Sequence, residues 1–241
     1  MRKFYLLLDG TRYALNGENH IRFVTPGGLG ATMADVYAES NDGFFRRVDR
    51  RGKQEAVTGE LVFTGGSAYG KYKTFADALL KAGAVQLVYD PNGTEYKADV
   101  SVNFLTKTES VADVYMTVPT SFTLLSPWYT DEELEGSSVT VTAGGQIGTG
   151  VVVEMYGAVT NPQILLGDFA LCALTYNLAS NQQLIFSTLW DDSYVHIDYD
   201  DAIQYVDITN PLYEHSNGAF TITNSGNKNM YVLVRKYWRT V

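Results

Sequence analysis

One stretch of this 241-residue chain, residues 68–82, has the clearest spacing of an amphipathic helix, and it stands in text that otherwise reads as strands and turns. Tyr72, Phe75, Ala76, Leu79 and Leu80 fall at i, i+3, i+4, i+7 and i+8, which gathers them on one face for packing. Ser67 is placed to cap the start of the helix and Gly83 to close its end. Before and after it, residues 4–8, 56–64, 85–89, 94–107 and 114–125 read as strands. Asn92-Gly93 between two strand-like runs predicts a type I′ hairpin, whose two central residues need positive φ. Residues 15–31 hold Asn16-Gly17, Pro26 and Gly27-Gly28-Leu29-Gly30, so a long turn-rich loop is expected there. This order predicts an α+β arrangement, one helix packed on a mainly antiparallel sheet.

Beyond Gly136 no helical pattern returns. Short strand candidates follow at 138–143, 151–156, 163–166, 171–177, 183–187, 194–197, 205–208, 219–223 and 229–236. Gly144-Gly145, Asn161-Pro162, Asn181, Asn217-Gly218 and Asn224-Ser225-Gly226-Asn227 punctuate them. Regular short strands with such turns predict a β-sandwich or jelly roll. Aromatic content of 13% and 22 glycines suit pleated surfaces joined by turns, so the fold class expected for the chain is mainly β.

Charge divides the chain. Residues 1–130 hold 14 basic and 14 acidic side chains, whereas residues 131–241 hold four and 13, which is the whole net charge of −9. Two domains are therefore expected, 1–130 and 131–241, with the seam in residues 126–135, where Pro127 and an acidic cluster interrupt strand-like sequence. The acidic second half disfavours nucleic acid, because phosphate contacts need Lys and Arg. No apolar run approaches the roughly 18 residues of a membrane span, and the apolar N-terminal stretch stops at Asp9, too short for a secretory leader. No membrane partner is expected, and assembly is expected in the cytoplasm. Cys172 is the single cysteine, so neither an internal disulfide nor a cysteine zinc site can form. It lies in Phe169-Ala-Leu-Cys-Ala-Leu174, an apolar run that predicts a buried, inert thiol.

Candidate chemistry is sparse. Gly27-Gly28-Leu29-Gly30 lacks the Lys-Ser/Thr of a phosphate loop and completes no dinucleotide motif, so it reads as a turn. His20, His196 and His215 are scattered, with no metal or triad spacing. In Tyr194-Val-His-Ile197, His196 should share a strand face with Tyr194. Asp191, Asp192, Asp198, Asp200 and Asp201 are the best candidates for calcium or for a glycosidase pair, yet neither spacing is distinctive and surface charge at hairpin ends is the simpler reading. Arg46, Arg47, Arg50, Arg51 and Lys53 form the one basic cluster, interrupted by Asp49. A solvated loop, or contact with an acidic neighbour, fits it better than a nucleic-acid groove. Trp190 and Trp238 suit core or interface packing, or sugar stacking if exposed. No catalytic, cofactor-binding or metal-binding residue is assigned, no cofactor is expected, and an enzyme is not indicated.

Asp42-Gly-Phe-Phe45, the strand and helix over 57–63 and 72–80, the hairpin of 85–89 with 96–106, and Phe122-Thr-Leu-Leu-Ser-Pro-Trp-Tyr129 together resemble the distal tail proteins of long-tailed phages and their domesticated relatives. Asn161-Pro162 and the terminal strand at 230–237 are similar to the second domain of that family. The resemblance implies an N-terminal domain that forms a ring, usually of six subunits, between tail tube and tip. It also implies a C-terminal galectin-like sandwich projecting outward. The partners it implies are further copies of the chain, the tail tube protein, the tail-associated hub protein and sometimes receptor-binding proteins, at the virion tail tip. It carries over no catalytic residue. The alternative is a carbohydrate-binding attachment protein acting through the C-terminal sandwich, with a glycoside hydrolase at Asp191–Asp201 behind it.

Overall fold

The computed structural model describes residues 2–39, 45–54, 56–104, 107–189, 192–209 and 218–241. The fold is mainly β, with one α-helix among the described residues. Two compact units divide the chain, Met1–Trp128 with Arg239–Val241, and Tyr129–Trp238.

The first unit contains β1 (Lys3–Leu8), β2 (Thr11–Ala14), β3 (Ile21–Gly27), β4 (Ala31–Glu39), β5 (Phe45–Gln54), β6 (Val57–Thr64), α1 (Ala68–Lys81), β7 (Val85–Asp90), β8 (Tyr96–Phe104), β9 (Thr108–Val111) and β10 (Tyr115–Leu124). Antiparallel pairing runs from β1 to β7, β8, β10, β6 and β3. Leu15 closes the circuit. Its N–H donates to the Phe4 carbonyl at 2.9 Å, and its own carbonyl accepts from the Phe23 N–H at 2.8 Å.

Residues paired across an antiparallel ladder share a face, so Phe4 with Tyr89, Leu6 with Leu87, and Phe23 with Leu61 all point inward and are buried. Phe23 makes edge contacts with Phe4 at 5.2 Å and Phe122 at 5.3 Å, and Phe4 stacks on Tyr89 at 4.9 Å. Gly59 makes room for this cluster, since a Cβ there would lie 2.6 Å from the Phe23 ring.

The helix forms where its stripe predicts, with two corrections. Phe75 and Leu79 are buried and Phe75 meets Phe63 at 5.9 Å, but Leu80 is 81% exposed. Leu80 follows Leu79 by 100° around the axis, and the narrow contact with the sheet does not reach it. Ser67 has left-handed φ and makes no side-chain cap. Asp113 caps instead, its carbonyl accepting from the Ala68 N–H at 3.0 Å and its carboxylate from the Tyr69 N–H at 3.1 Å. At the other end the Gly83 and Ala84 N–H groups donate to the Asp9 carboxylate.

Turn chemistry also departs from expectation. Asp9-Gly10, with φ of 47° and 80°, links Leu8 to its partner Thr11 as a two-residue turn. At Asn92-Gly93 only Gly93 has positive φ, and the β7–β8 hairpin closes through a longer loop between Asp90 and Tyr96. The expected 15–31 loop contains β3, because Ile21 and Phe23 alternate into the core. Pro26, which has no N–H to give, sits where the β3–β6 register breaks between Val24 and Gly27.

The second unit comprises β11 (Trp128–Gly136), β12 (Ser138–Ala143), β13 (Gly148–Tyr156), β14 (Val159–Thr160), β15 (Gln163–Leu166), β16 (Phe169–Leu174), β17 (Asn177–Leu178), β18 (Gln183–Thr188), β19 (Ser193–Ile197), β20 (Asp200–Asp201), β21 (Val206–Thr209), β22 (Gly218–Asn224) and β23 (Met230–Trp238). One sheet is ordered β11-β23-β13-β18-β19-β20 and the other β12-β22-β15-β16-β21. Val151, Val153, Leu184, Phe186, Val232 and Val234 of the first meet Val141, Ile164, Leu171, Cys172 and Ile222 of the second in one buried cluster. This is a β-sandwich.

The acidic segment expected to interrupt the strands is itself part of β11. Cross-strand cations hold it there. Arg235 on β23 pairs with Asp131 at 2.8 Å and lies 3.9 Å from the Tyr129 ring centre, while Lys236 pairs with Glu132 at 3.0 Å. Burial works against the Arg235 charge, but the hydrogen bond and attraction from Asp131 raise its pKa overall.

Candidate assembly surface

The basic cluster expected in a loop lies on a strand. Arg46, Arg47, Arg50, Arg51 and Lys53 belong to β5, whose register with β4 runs from Glu39↔Phe45 to Ala31↔Gln54 and places Arg50 opposite Asp35. Among the described residues β4 and β5 pair with each other and with no other strand. A two-stranded ribbon is marginal in water by itself, and sheet edges of this kind are where a further strand can add. Two large apolar side chains on β4 are solvent-facing, Met33 at 59% and Tyr37 at 56% exposure. Sequence reasoning did not assign this ribbon, although Asp42-Gly43 carried a hairpin signal; residues 42–44 lie outside the described residues.

A second apolar surface lies at the start of α1. Tyr69, Val111, Val114 and Tyr115 are all exposed. The Asp113 bonds tie the β9–β10 turn to the helix, and the Val114 N–H donates to the Val111 carbonyl at 3.1 Å. The Lys107 ammonium lies 4.3 Å from the Tyr69 ring centre and 5.5 Å from that of Tyr72. Clustered exposed apolar residues of this kind mark contact surfaces more often than scattered ones do.

The other sequence candidates separate. Cys172 is buried in the sandwich core, where burial pushes its thiol up to about 12. Gly28 has φ of 77°, and a Cβ there would lie 2.0 Å from the Ala56 carbonyl oxygen, so close chain approach explains the glycine. The described chain turns from Gly28 into β4, not into a helix. His20 is exposed in a turn; His196 stacks on Tyr194 at 4.4 Å, while Val195 and Ile197 face the core. Trp238 ends β23 half-buried. Trp190, Asp191 and His215 lie outside the described residues.

Asp198, Asp200 and Asp201 share one turn, and Asp192 sits at the far end of β19. Asp198 accepts from the Gln183 N–H at 2.8 Å and Asp201 from the Ile203 N–H at 2.9 Å, which is turn-building work. Among the described residues no group of three or more His, Cys, Asp or Glu is arranged to hold a metal ion. Nor is any described helix long and apolar enough to cross a membrane.

The described residues build a mainly β protein in two units, one of which includes a separate two-stranded ribbon. The model of the distal tail protein N-terminal domain matches residues 3–124. The chain belongs to the distal tail protein family, structural proteins of the phage tail and baseplate hub. Solved structures agree in fold. A chain of the phage p2 baseplate in its activated conformation with Sr has a TM-score of 0.69 at 15% identity, covering 100% of both chains. The same baseplate with Ca gives 0.68 at 14%, again covering 100% of both. The Dit protein of phage SPP1, described as a paradigm of hub adsorption apparatus in phages infecting Gram-positive hosts, gives 0.64 at 10%, covering 96% of this chain and 98% of the other. None of the curated protein sequences matches.

Proposed function

We propose that the chain closes into a ring of six at the tip of a phage tail, joining the tail tube to the hub and the host-attachment apparatus. In this reading residues 1–130 form the ring, and the acidic residues 131–241 form a galectin-like sandwich facing outward. The partners are the tail tube protein, the tail-associated hub protein and, in some tails, receptor-binding proteins. Assembly takes place in the host cytoplasm. The observation that carries the proposal is the ribbon of β4 and β5, paired with no further strand among the described residues and bearing exposed Met33 and Tyr37. A head-to-tail ring needs two different surfaces on each subunit, one fitting the other. The ribbon supplies one, and the patch of Tyr69, Val111, Val114 and Tyr115 offers a second in the same unit.

Light scattering of the purified chain across a concentration series tests this, with negative-stain microscopy for the shape. The expected result is a closed hexamer for the native chain and dissociation when Arg46, Arg47, Arg50 and Arg51 are reversed to Glu. A native hexamer that the reversal leaves intact would remove β5 from the interface. A native chain that stays monomeric would overturn ring closure by the chain alone.

A further inference from the structure

The second unit holds a shallow depression of about 220 Å³. Its walls include Tyr176 and Tyr205, with ring centres 4.8 Å apart and planes inclined at 45°. Gln182 lines it too and is held on two sides: its amide and the Tyr176 hydroxyl lie within 3.3 Å, and its carbonyl oxygen accepts from the Ala179 N–H at 3.0 Å. The remaining polar lining includes Asp200 and Asp201. Asp201 uses one carboxylate oxygen on the Ile203 N–H, while the Asp200 carboxylate has no hydrogen-bond partner among the described residues.

We propose that this depression binds one non-anionic sugar residue, a hexose or a hexosamine. A pyranose has an apolar C–H face and a rim of hydroxyls. Aromatic walls suit the face, and fixed amide and carboxylate groups suit the rim. Small-molecule pockets combine these features, an apolar wall with a few convergent polar groups. The volume lies below the roughly 300 Å³ at which drug-sized pockets begin, which fits a single ring. Asp198, Asp200 and Asp201 together repel carboxylated, sulfated or phosphorylated sugars and attract a protonated amine.

Saturation-transfer NMR on the full chain tests the site, using methyl glucoside, N-acetylglucosamine, glucosamine and glucuronate, with titrations for affinity. Binding near millimolar is expected for the first three, glucosamine tightest, and at least about tenfold weaker for glucuronate. Tyr205→Ala should weaken all binding by about tenfold or more while Tyr205→Phe preserves it, because the wall and not the hydroxyl does the work. Asp200→Asn should remove the preference for glucosamine and leave methyl glucoside bound. No transfer to any sugar at about 10 mM, a preference for glucuronate, or undiminished binding by Tyr205→Ala would each overturn the proposal. Because the assay reads sugar and not assembly, it stands whether or not the chain closes into a ring.

Discussion

The two units solve the problem of filling a β core in different ways. The first closes a sheet around Phe4, Phe23, Tyr89 and Phe122, with Phe63 and Phe75 where the helix packs. The second stacks two sheets over Val141, Val151, Val153, Ile164, Val232 and Val234, with Phe186 the one fully buried Phe among the cluster's described residues. A closed circuit of few strands leaves a central volume that few positions can reach, so each must contribute a large ring. Two facing sheets need side chains that interdigitate across about 10 Å, and β-branched residues suffice. The units also differ at their surfaces. The first is electrically balanced and includes a ribbon that pairs with no other strand among the described residues, while the second carries the chain's net charge.

The contrast is most sharply tested by truncating one ring in each core. Phe122→Ala and Phe186→Ala should each cost about 3–5 kcal/mol. Scanning calorimetry should show the first lowering one transition and the second lowering another. A single transition shifted equally by both would mean that the two cores melt as one cooperative block, and the comparison would fail.

A smaller effect separates the charge pairs on β11. Arg235→Ala leaves Asp131 with little solvent, both side chains in that pair being 17% exposed, and should cost roughly 2 kcal/mol in urea unfolding. Lys236→Ala, whose partner Glu132 is 47% exposed, should cost no more than about 0.5 kcal/mol. Equal costs would show that the Tyr129 ring and the neighbouring burial contribute nothing at Arg235. The smallest change concerns the first unit alone. Asp113→Ala should destabilise it by about 1 kcal/mol through the lost helix cap. Ser67→Ala should be near neutral in the same assay, because Ser67 makes no side-chain cap.

Turns show how far the text could be read. Asp9-Gly10 forms the two-residue turn that its composition encodes, while Asn92-Gly93 does not, because Pro91 and the spacing of Asp90 from Tyr96 favour a longer loop. Asp198-Tyr199 forms a turn of the same two-residue kind with no glycine, since Ile197 and Asp200 pair across it and the sheet imposes the geometry. The site residues follow the same division. Cys172 could be placed in a core from its apolar neighbours, but the ribbon could not be found from the basic cluster, because a run of arginines has no period that distinguishes strand from loop.

What the sequence determined is what repeats at short range. Alternation gave most strands, the i, i+3, i+4 stripe gave the helix, and the uneven charge marked two surfaces. What only the tertiary structure decided are the choices made between distant residues. Asp113 rather than Ser67 caps the helix, Leu15 closes the first sheet, Leu80 is left in solvent, and the ribbon finds no further strand within the described chain. Local pattern fixes which face of an element is apolar, but which partner covers that face, and how far the cover extends, depends on packing among elements tens of residues apart.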